Sequence, residues 1–182
     1  MRIAVVGKGN VGGGLADRWE RAGHEVSRIG KDGGDVSDAD VVLLAVPGAA
    51  VPATFETVSG WDRKTVIDAT NLFGGQPPDG YASNAEFVKS KTNGPTAKSF
   101  NLNFARLYDQ IDAQSTKPSN LWSGDDEARD VVEQLNRDAG YDPAYVGALD
   151  KASVQELGMQ LWSAVSQANG PFFYRIASPG EL

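Results

Sequence analysis

The 182-residue chain contains no cysteine and a single histidine, His24. Without cysteine there is no disulfide, no thiolate metal site and no cysteine nucleophile. One histidine also leaves no histidine cluster for a metal and no serine–histidine relay. His24 stands just before a predicted strand, where we expect an exposed, solvated side chain rather than a catalytic one. No metal site is therefore predicted.

Basic residues are outnumbered, with 17 Lys and Arg against 24 Asp and Glu, which gives a formal net charge of −7. No run of Lys or Arg supplies the basic stripe of a protein that binds nucleic acid or a membrane surface, so we expect neither partner. No apolar stretch reaches the roughly 18 residues of a membrane helix. The N-terminus shows no charged leader and no apolar core typical of a signal peptide. We therefore expect a cytoplasmic protein that acts on a small molecule.

Glycine, by contrast, is abundant, and the sequence GKGNVGG at residues 7–13 uses it in a recognisable pattern. This stretch follows an apolar run at residues 3–6 and opens a helical pattern, which is the context of a dinucleotide-binding loop. The first glycine permits a tight turn, the second lets the backbone approach a pyrophosphate, and the third lets the helix pack on the strand. The helix N-terminus then favours the anion. The residues predicted to bind the cofactor here are Gly7, Lys8, Gly9, Asn10, Val11 and Gly12.

Strands and helices alternate along the chain. After a first helix that ends at Gly23, the pattern predicts strands at residues 25–29, 41–46, 65–69, 96–100 and 121–123, and an extended piece at 143–147. Helices are predicted at 49–58, from an N-cap at Ser83 to about residue 90, at 126–139 and at 149–168. Continuous apolar runs are typical of parallel strands covered on both faces. The predicted fold is α/β, a Rossmann-type, doubly wound, mostly parallel sheet with a C-terminal helical extension.

The length allows one sizeable core and a small appendage. We divide the chain into a dinucleotide-binding domain, residues 1–147, and a helical segment, residues 148–182, which packs on that domain or at a dimer interface. Only nine residues separate Lys31 from Val41, whereas a βαβ crossover needs at least about 10–12. The helix that usually follows the second strand is therefore missing, and the adenine side of the pocket is trimmed.

Several stretches of the chain, in order, resemble the coenzyme F420-dependent NADP reductase family. They read MRIAVVGKGNVGGGLADRWERAGHEV, ADVVLLAVP, VIDATN, SNAEFVKSKTNGPTAKSFN, WSGDDEARDVVEQL and AGYDPAYVGAL, and they cover nearly the whole chain. The resemblance implies hydride transfer between NADP(H) and coenzyme F420 or a similar small acceptor such as a flavin. Such chemistry asks the protein mainly to position two rings, so no catalytic residue is assigned.

Two other functions stay open at this point. The same family contains many dinucleotide-binding proteins whose second substrate is undefined, so a non-catalytic binding or sensing protein is the alternative. A reductase for a small imine or keto acid is a third reading. Such enzymes usually build the substrate site on a larger helical domain than the roughly 35 residues after Gly147 allow.

The end of the second strand, Gly30-Lys31, bears on the choice of cofactor. An NAD enzyme usually places Asp or Glu here to accept from the ribose 2′-OH. Lys31 would instead meet a 2′-phosphate, which favours NADP. The alternative is that Lys31 is a solvated lysine in a turn with no role in binding. Asp32, one residue later, leaves NAD open as a minor option for the cofactor. The Gly30-Lys31 pair also offers fewer side-chain groups to a 2′-phosphate than the Ser-Arg pair that is usual in the family.

Other candidate residues follow the next strands. Ala45, Val46 and Pro47 end the 41–46 strand near the switch point of the sheet, where their backbone would line the nicotinamide ribose; a plain turn is the alternative. Asn71 follows the strand at 65–69 and is assigned to the cofactor site. Its structural alternative is a helix cap or turn residue.

The strand at 96–100 carries the candidate substrate residues Lys98, Phe100 and Asn101. Lys98 and Asn101 would point into the same crevice and contact the nicotinamide amide or the second substrate. The alternative for Lys98 is an exposed charge at the end of a strand. Trp122 and Trp162 are interpreted as core or interface residues rather than stacking platforms.

The C-terminal segment carries a surplus of apolar side chains. In the predicted helix these are Leu157, Met159, Leu161, Trp162 and Val165, and the apolar residues 171–174 follow. This is more apolar surface than one side of a small sheet easily covers. With the family resemblance, it predicts a homodimer with this segment at the two-fold contact. The alternative is a helix that only caps its own sheet.

Overall fold

Nine strands and five α-helices are present in the computed structural model, which describes residues 1–180. The strands are β1 (Arg2–Val6), β2 (Glu25–Ile29), β3 (Gly34–Asp35), β4 (Val41–Leu44), β5 (Val58–Ser59), β6 (Thr65–Asp68), β7 (Thr96–Ser99), β8 (Ser119–Gly124) and β9 (Asp142–Gly147). The helices are α1 (Asn10–Arg21), α2 (Val51–Thr57), α3 (Asn84–Thr92), α4 (Arg129–Asp138) and α5 (Ala152–Asn169). Short 3-10 segments lie at Gly48–Ala50, Ala105–Ala113, Asp126–Ala128 and Leu149–Lys151.

Seven of the strands form one sheet in the order β2-β1-β4-β6-β7-β8-β9. The first five are parallel, β8 joins β7 antiparallel, and β9 runs parallel to β8. The chain first moves outward from β1 to β2 and then returns to β4 on the other side of β1. The order therefore reverses between β1 and β4, which is where ligands bind in open α/β sheets. The predicted fold class is confirmed.

Helices cover both faces of this sheet, and alternate strand residues face opposite sides. Ile3 and Val5 belong to a core cluster that includes Trp19 of α1 and Leu135 of α4. Their neighbours in β1 belong to a second cluster on the other face, with Phe87 of α3. Because each strand buries both of its sides, its sequence reads as a continuous apolar run.

The crossover after β2 contains no α-helix, as expected from its length. In its place β3 pairs with β5 in a separate two-stranded sheet. Gly33 has φ +81°, and a Cβ there would lie 2.1 Å from the carbonyl oxygen of Thr57. Close packing against the end of α2 therefore holds the short crossover in place. The two-residue strands were not predicted because no periodicity is visible over so short a stretch.

The 3-10 segment Ala105–Ala113, also not predicted, packs against α1. A Cβ at Gly14 would lie 2.4 Å from the ring of Tyr108, so only glycine allows this approach. The buried Arg18 guanidinium donates to the carbonyl oxygens of Ala139 (2.6 Å) and Tyr108 (2.8 Å) and to the carboxylate of Asp112. These contacts, at Gly14 and Arg18, fix the segment beside α1.

The prediction of an exposed histidine is wrong. The His24 side chain is only 10% exposed, and its Nε2 lies 2.8 Å from Asp138 Oδ2 at the end of α4. The N-terminal amino group lies 3.3 Å from Nδ1. Asp138 is distant in sequence, so local pattern could not indicate this partner. His24 has a structural role, joining the start of β2 to α4.

Helix α5 lies across β7, β8 and α3. Its buried residues are Ala152 and Gln155, and the Gln155 amide donates to Asn101 Oδ1 (3.2 Å) and to the Leu121 carbonyl oxygen (3.3 Å). Its outer face leaves Leu157 65% exposed and Leu161 60% exposed. Within residues 1–180, no helix has the length and apolar character to cross a membrane.

Candidate functional site

The glycine loop between β1 and α1 has one open glycine and two tightly packed ones. A Cβ at Gly7, where φ is +113°, would lie 2.2 Å from the Ala45 carbonyl oxygen, and one at Gly12 would lie 1.9 Å from the Gly7 carbonyl oxygen. A Cβ at Gly9 would meet nothing within 4 Å. Gly9 is the N-cap of α1, and no side chain caps the helix. The first-turn N–H groups are therefore available to an anion approaching Gly9.

A cavity of about 450 Å³, here called the loop cavity, adjoins this turn and is lined by Lys8, Gly9, Asn10, Gly13, Gly14, Ala105 and Arg106. Arg106 stacks its guanidinium over the Phe104 ring, 5.5 Å from the centroid, and donates to Ser166 Oγ of α5 at 3.2 Å. It brings a second cation beside the loop. The sequence carried no signal for Arg106, since the 3-10 segment that positions it was not predicted.

Lys8 lies along the end of β2. A Cβ at Gly30 would be 3.3 Å from Lys8 Cε and 3.5 Å from Lys8 Nζ. Lys31 follows directly and is exposed. Among residues 1–180 neither ammonium group has a hydrogen bond or ion pair. Two cations are therefore free to meet a phosphate at this strand end, which is where a cofactor ribose lies in Rossmann proteins.

A second cavity, of about 370 Å³ and here called the crevice cavity, opens at the carboxyl ends of β6 and β7. It brings together the predicted residues Val11, Asn71, Phe100 and Asn101 with Met159, Ser163, Ser166 and Gln167 of α5; its other lining residues are Ala69, Phe73, Asn103, Phe104 and Ala105. The Asn71 amide donates to the Asn101 carbonyl oxygen (2.6 Å), and the Asn101 amide donates to Asn71 Oδ1 (3.0 Å). The two side chains thus fix each other at the cavity wall.

Phe100 has an unusual backbone, with φ +62° in a residue that is fully buried. Its ring packs edge-on against Trp19, with centroids 5.8 Å apart. Positive φ is uncommon outside glycine, and such strain is typical of functional turns. The turn ends β7 and carries Asn101 to the cavity wall.

The segment after β4 lies between the glycine loop and Asn71. The Ala45 N–H donates to the Val6 carbonyl oxygen (2.8 Å), and a Cβ at Gly48 would lie 2.4 Å from the Asn71 carbonyl oxygen. Ala45 and Val46 pack their side chains against the two core clusters. Because both side chains pack against the core, the backbone of Ala45 and Val46, followed by Pro47, is the part that faces the end of the strand.

The third cavity, of about 540 Å³ and here called the outer cavity, lies between the loop at residues 72–77 and α5. Its lining residues are Leu72, Phe73, Gly74, Gly75, Gln76, Pro77, Ala82, Ser153, Glu156, Leu157, Met159, Gln160 and Ser163. It shares Phe73, Met159 and Ser163 with the crevice cavity, which in turn shares Ala105 with the loop cavity. The three cavities therefore adjoin along the carboxyl edge of the sheet.

Lys98 was expected to point into the substrate crevice, but it does not line the crevice cavity. It is fully buried, and Nζ donates to Asp68 Oδ2 (2.9 Å), to the Thr70 carbonyl oxygen (2.6 Å) and to Glu156 Oε1 (2.7 Å). The reading as an exposed strand-end charge is wrong, because two carboxyl groups from other elements surround it. An ammonium group has three N–H donors, and all three are used. Lys98 therefore has no donor left for a substrate.

Glu156 was missed because the helix pattern marks only apolar positions. Its Oε1 also accepts from the Asn84 backbone N–H at 3.2 Å. Burial raises the pKa of Glu156 above its ordinary value, which the Lys98 ammonium opposes and the Asp68 charge reinforces. Among the buried cluster of Lys98, Asp68 and Glu156, only Glu156 lines a cavity.

Comparison with known proteins found no matching family model and no match among curated proteins. Solved structures do match. A protein from Arthrobacter sp. FB24, described as "a putative F420 dependent NADP-reductase", is 22% identical with a TM-score of 0.82, covering 98% of this chain and 100% of its own. The hypothetical protein SMa0349 from Sinorhizobium meliloti is 25% identical with a TM-score of 0.65, covering 84% and 88%.

A more distant match is a reductive aminase from Aspergillus terreus, solved in complex with NADPH and ethyl levulinate. It is 16% identical with a TM-score of 0.68, over 92% of this chain and 62% of the aminase. These similarities confirm the resemblance predicted from the sequence at the level of the fold. The chain shares its fold with the Arthrobacter protein and with the reductive aminase.

Proposed function

We propose that this chain is an NADP-dependent oxidoreductase that transfers hydride between NADP(H) and coenzyme F420 or a similar small acceptor such as a flavin. The observation that carries the proposal is the row of three adjoining cavities along the carboxyl edge of the sheet. An extended dinucleotide needs a phosphate site and a nicotinamide site in line, and a second substrate needs a third space beside them.

The residues fit this cofactor. The open space at Gly9 and the uncapped N-terminus of α1 would accept the pyrophosphate, with Arg106 beside it. Lys8 and Lys31 would meet the 2′-phosphate at the end of β2. The backbone of residues 45–47 would face the nicotinamide ribose.

Chemistry in such a site depends mainly on positioning. The bound nicotinamide supplies the hydride. The paired amides of Asn71 and Asn101 would orient its carboxamide group in the crevice cavity. Phe73 and Met159, which line both the crevice and outer cavities, would keep water from the space between the two rings.

Steady-state oxidation of NADPH with coenzyme F420, FMN and a ferric acceptor tests the proposal. We expect turnover with at least one of the first two. Tight binding of NADPH without oxidation by any acceptor would instead establish the non-catalytic sensing role. Absence of NADPH binding would overturn both functions. The cytoplasmic location stays a prediction.

Lys31→Asp tests the choice between NADP and NAD. The substitution should weaken NADPH binding by about 1–3 kcal/mol, the range for losing a charge-assisted hydrogen bond, and leave NADH binding little changed. Calorimetric titration of both cofactors measures this difference. Lys117→Asp, at another exposed lysine, is the charge-matched control. Equal losses for NADPH and NADH would refute the assignment of Lys31.

We further propose that the chain divides into a dinucleotide-binding domain, residues 1–147, and a helical segment, residues 148–182. The helical segment forms the two-fold contact of a homodimer. The outer face of α5 exposes Val154, Leu157, Leu161 and Val165 at helical spacing. The helix has one charged residue, Glu156, and it is buried against Lys98. Two copies of this face can therefore meet without like-charge repulsion.

Sedimentation at micromolar concentration tests the dimer. The intact chain should sediment as a dimer, and Leu161→Glu should dissociate it because a charge would enter the contact. Ala53→Glu, at an exposed residue of α2 outside the helical segment, should leave the dimer intact. A monomeric wild-type chain would end the proposal, in favour of a helix that only caps its own sheet.

A further inference from the structure

Glu156 is the one titratable side chain that lines either the crevice cavity or the outer cavity, counted over residues 1–180. The other lining side chains are apolar groups, amides and hydroxyls. A two-electron reduction by hydride also requires a proton when the acceptor takes its electrons on nitrogen. Within these two cavities, only Glu156 can exchange that proton directly with a ligand.

The two oxygens of Glu156 have different surroundings. Oε1 accepts from Lys98 Nζ (2.7 Å) and from the Asn84 backbone N–H (3.2 Å). Oε2 accepts no hydrogen bond from any residue in the described part of the chain, although the side chain is only 7% exposed. A carboxyl group held by one oxygen in this way presents the other to a ligand in the outer cavity.

The charges around Glu156 favour its protonated form. Lys98 from β7 is the cation of this cluster, and it faces two carboxyl groups, Asp68 from β6 and Glu156 from α5. Helix α3 contributes only the Asn84 N–H. The Asp68 carboxylate also accepts from the Thr70 N–H at 2.8 Å. A buried cluster with one cation is electrically neutral when one of its carboxyl groups carries a proton.

We infer that Glu156 is the proton donor to the second substrate, an inference that rests on the proposed oxidoreductase function. Hydride leaves C4 of the reduced nicotinamide and forms a C–H bond at the acceptor carbon. The electrons of the conjugated C=N bond move to its nitrogen. That nitrogen takes the proton from Oε2, forming an N–H bond as the O–H bond breaks. NADPH is oxidised, the acceptor is reduced, and Lys98 holds the resulting carboxylate until solvent returns a proton.

The same surroundings define the class of acceptor. No cationic side chain lines either cavity in the described chain, and the donors of Lys98 are all used. A small keto acid would therefore bring its carboxylate next to Glu156, with no free cationic donor in either cavity to bind it. A largely apolar acceptor with a C=N group conjugated to the hydride-accepting carbon, as in a cyclic imine or a deazaflavin, suits the site.

The test compares the wild type with Glu156→Gln and Glu156→Asp, and uses Glu56→Gln, at an exposed glutamate, as the control. Gln keeps an oxygen to accept from Lys98 but has no acidic proton. With NADPH and either coenzyme F420 or 3,4-dihydroisoquinoline as probe, kcat should fall by at least about 10²-fold in Glu156→Gln, the range for loss of a general acid. Wild-type kcat should decline as pH rises through the raised pKa of Glu156, and Glu156→Asp should retain this decline.

A second readout does not depend on turnover. In ¹³C-labelled protein loaded with NADP⁺, the Glu156 carboxyl resonance, identified by its absence in Glu156→Gln, should shift when either probe is added. No shift, no binding of either probe, or equal kcat in wild type and Glu156→Gln at every pH would overturn the inference. In each of these cases the proposed function is judged separately, by NADPH binding and by oxidation with FMN.

Discussion

Gly9→Val is expected to abolish NADPH binding while the protein stays folded. The position tolerates a side chain sterically, because a Cβ would meet nothing within 4 Å and the backbone is extended with φ −75°. The same open space is where the pyrophosphate would approach the N-terminus of α1, so the valine would occupy the place of the cofactor. Calorimetric titration with NADPH and thermal unfolding measure the two effects.

Gly12→Ala is the contrasting variant. Its Cβ would lie 1.9 Å from the Gly7 carbonyl oxygen, so the strand, the loop and the helix would have to move apart. We expect this variant to lose stability, with or without the cofactor. Unaltered NADPH affinity in folded Gly9→Val protein would disprove the placement of the pyrophosphate.

Lys98→Met should destabilise the protein by about 3–5 kcal/mol, the cost of removing one partner from a buried ion pair. Asp68 and Glu156 would lose the only cation that contacts them in the described chain, and the Thr70 carbonyl oxygen would lose its donor from Nζ. Methionine fills a similar volume, so the loss would reflect charge rather than a cavity. Equilibrium denaturation measures the free energy of unfolding.

Lys117→Met, at an exposed lysine, should change that free energy by no more than about 0.5 kcal/mol. A Lys98→Met variant as stable as the wild type would show that the buried cluster is not the ion pair described. It would also remove the charge argument for Glu156.

The glycine loop and the positions of most strands along the chain could be predicted because their signals are local. A strand buried on both faces must be apolar throughout, and Ser83 confirms its predicted N-cap role by accepting from the Glu86 N–H at 3.1 Å. Gly7 and Gly12 were recognised from the glycine spacing after an apolar run, and the structure shows that a Cβ at either position would meet backbone atoms closer than 3 Å. The convergence of Asn71 and Asn101 followed from parallel strands ending at one edge.

The parts that escaped prediction depend on contacts between distant residues. His24 was expected to be exposed because Asp138 is 114 residues away. Because Lys98 stands at the end of a strand, its side chain could be read as an exposed charge. In the structure Asp68 and Glu156 enclose the Lys98 ammonium group. Glu156 and Arg106 carried no local signal, since each gains its setting only when α5 or the 3-10 segment folds onto the sheet.

Crystallographic analysis of the protein with NADP⁺ tests the central claim most directly. We predict the pyrophosphate at the first turn of α1 beside Gly9, the 2′-phosphate between Lys8 and Lys31, and the nicotinamide in the crevice cavity next to Asn71 and Asn101. Density for the dinucleotide at any other place, or none at saturating concentration, would contradict the account.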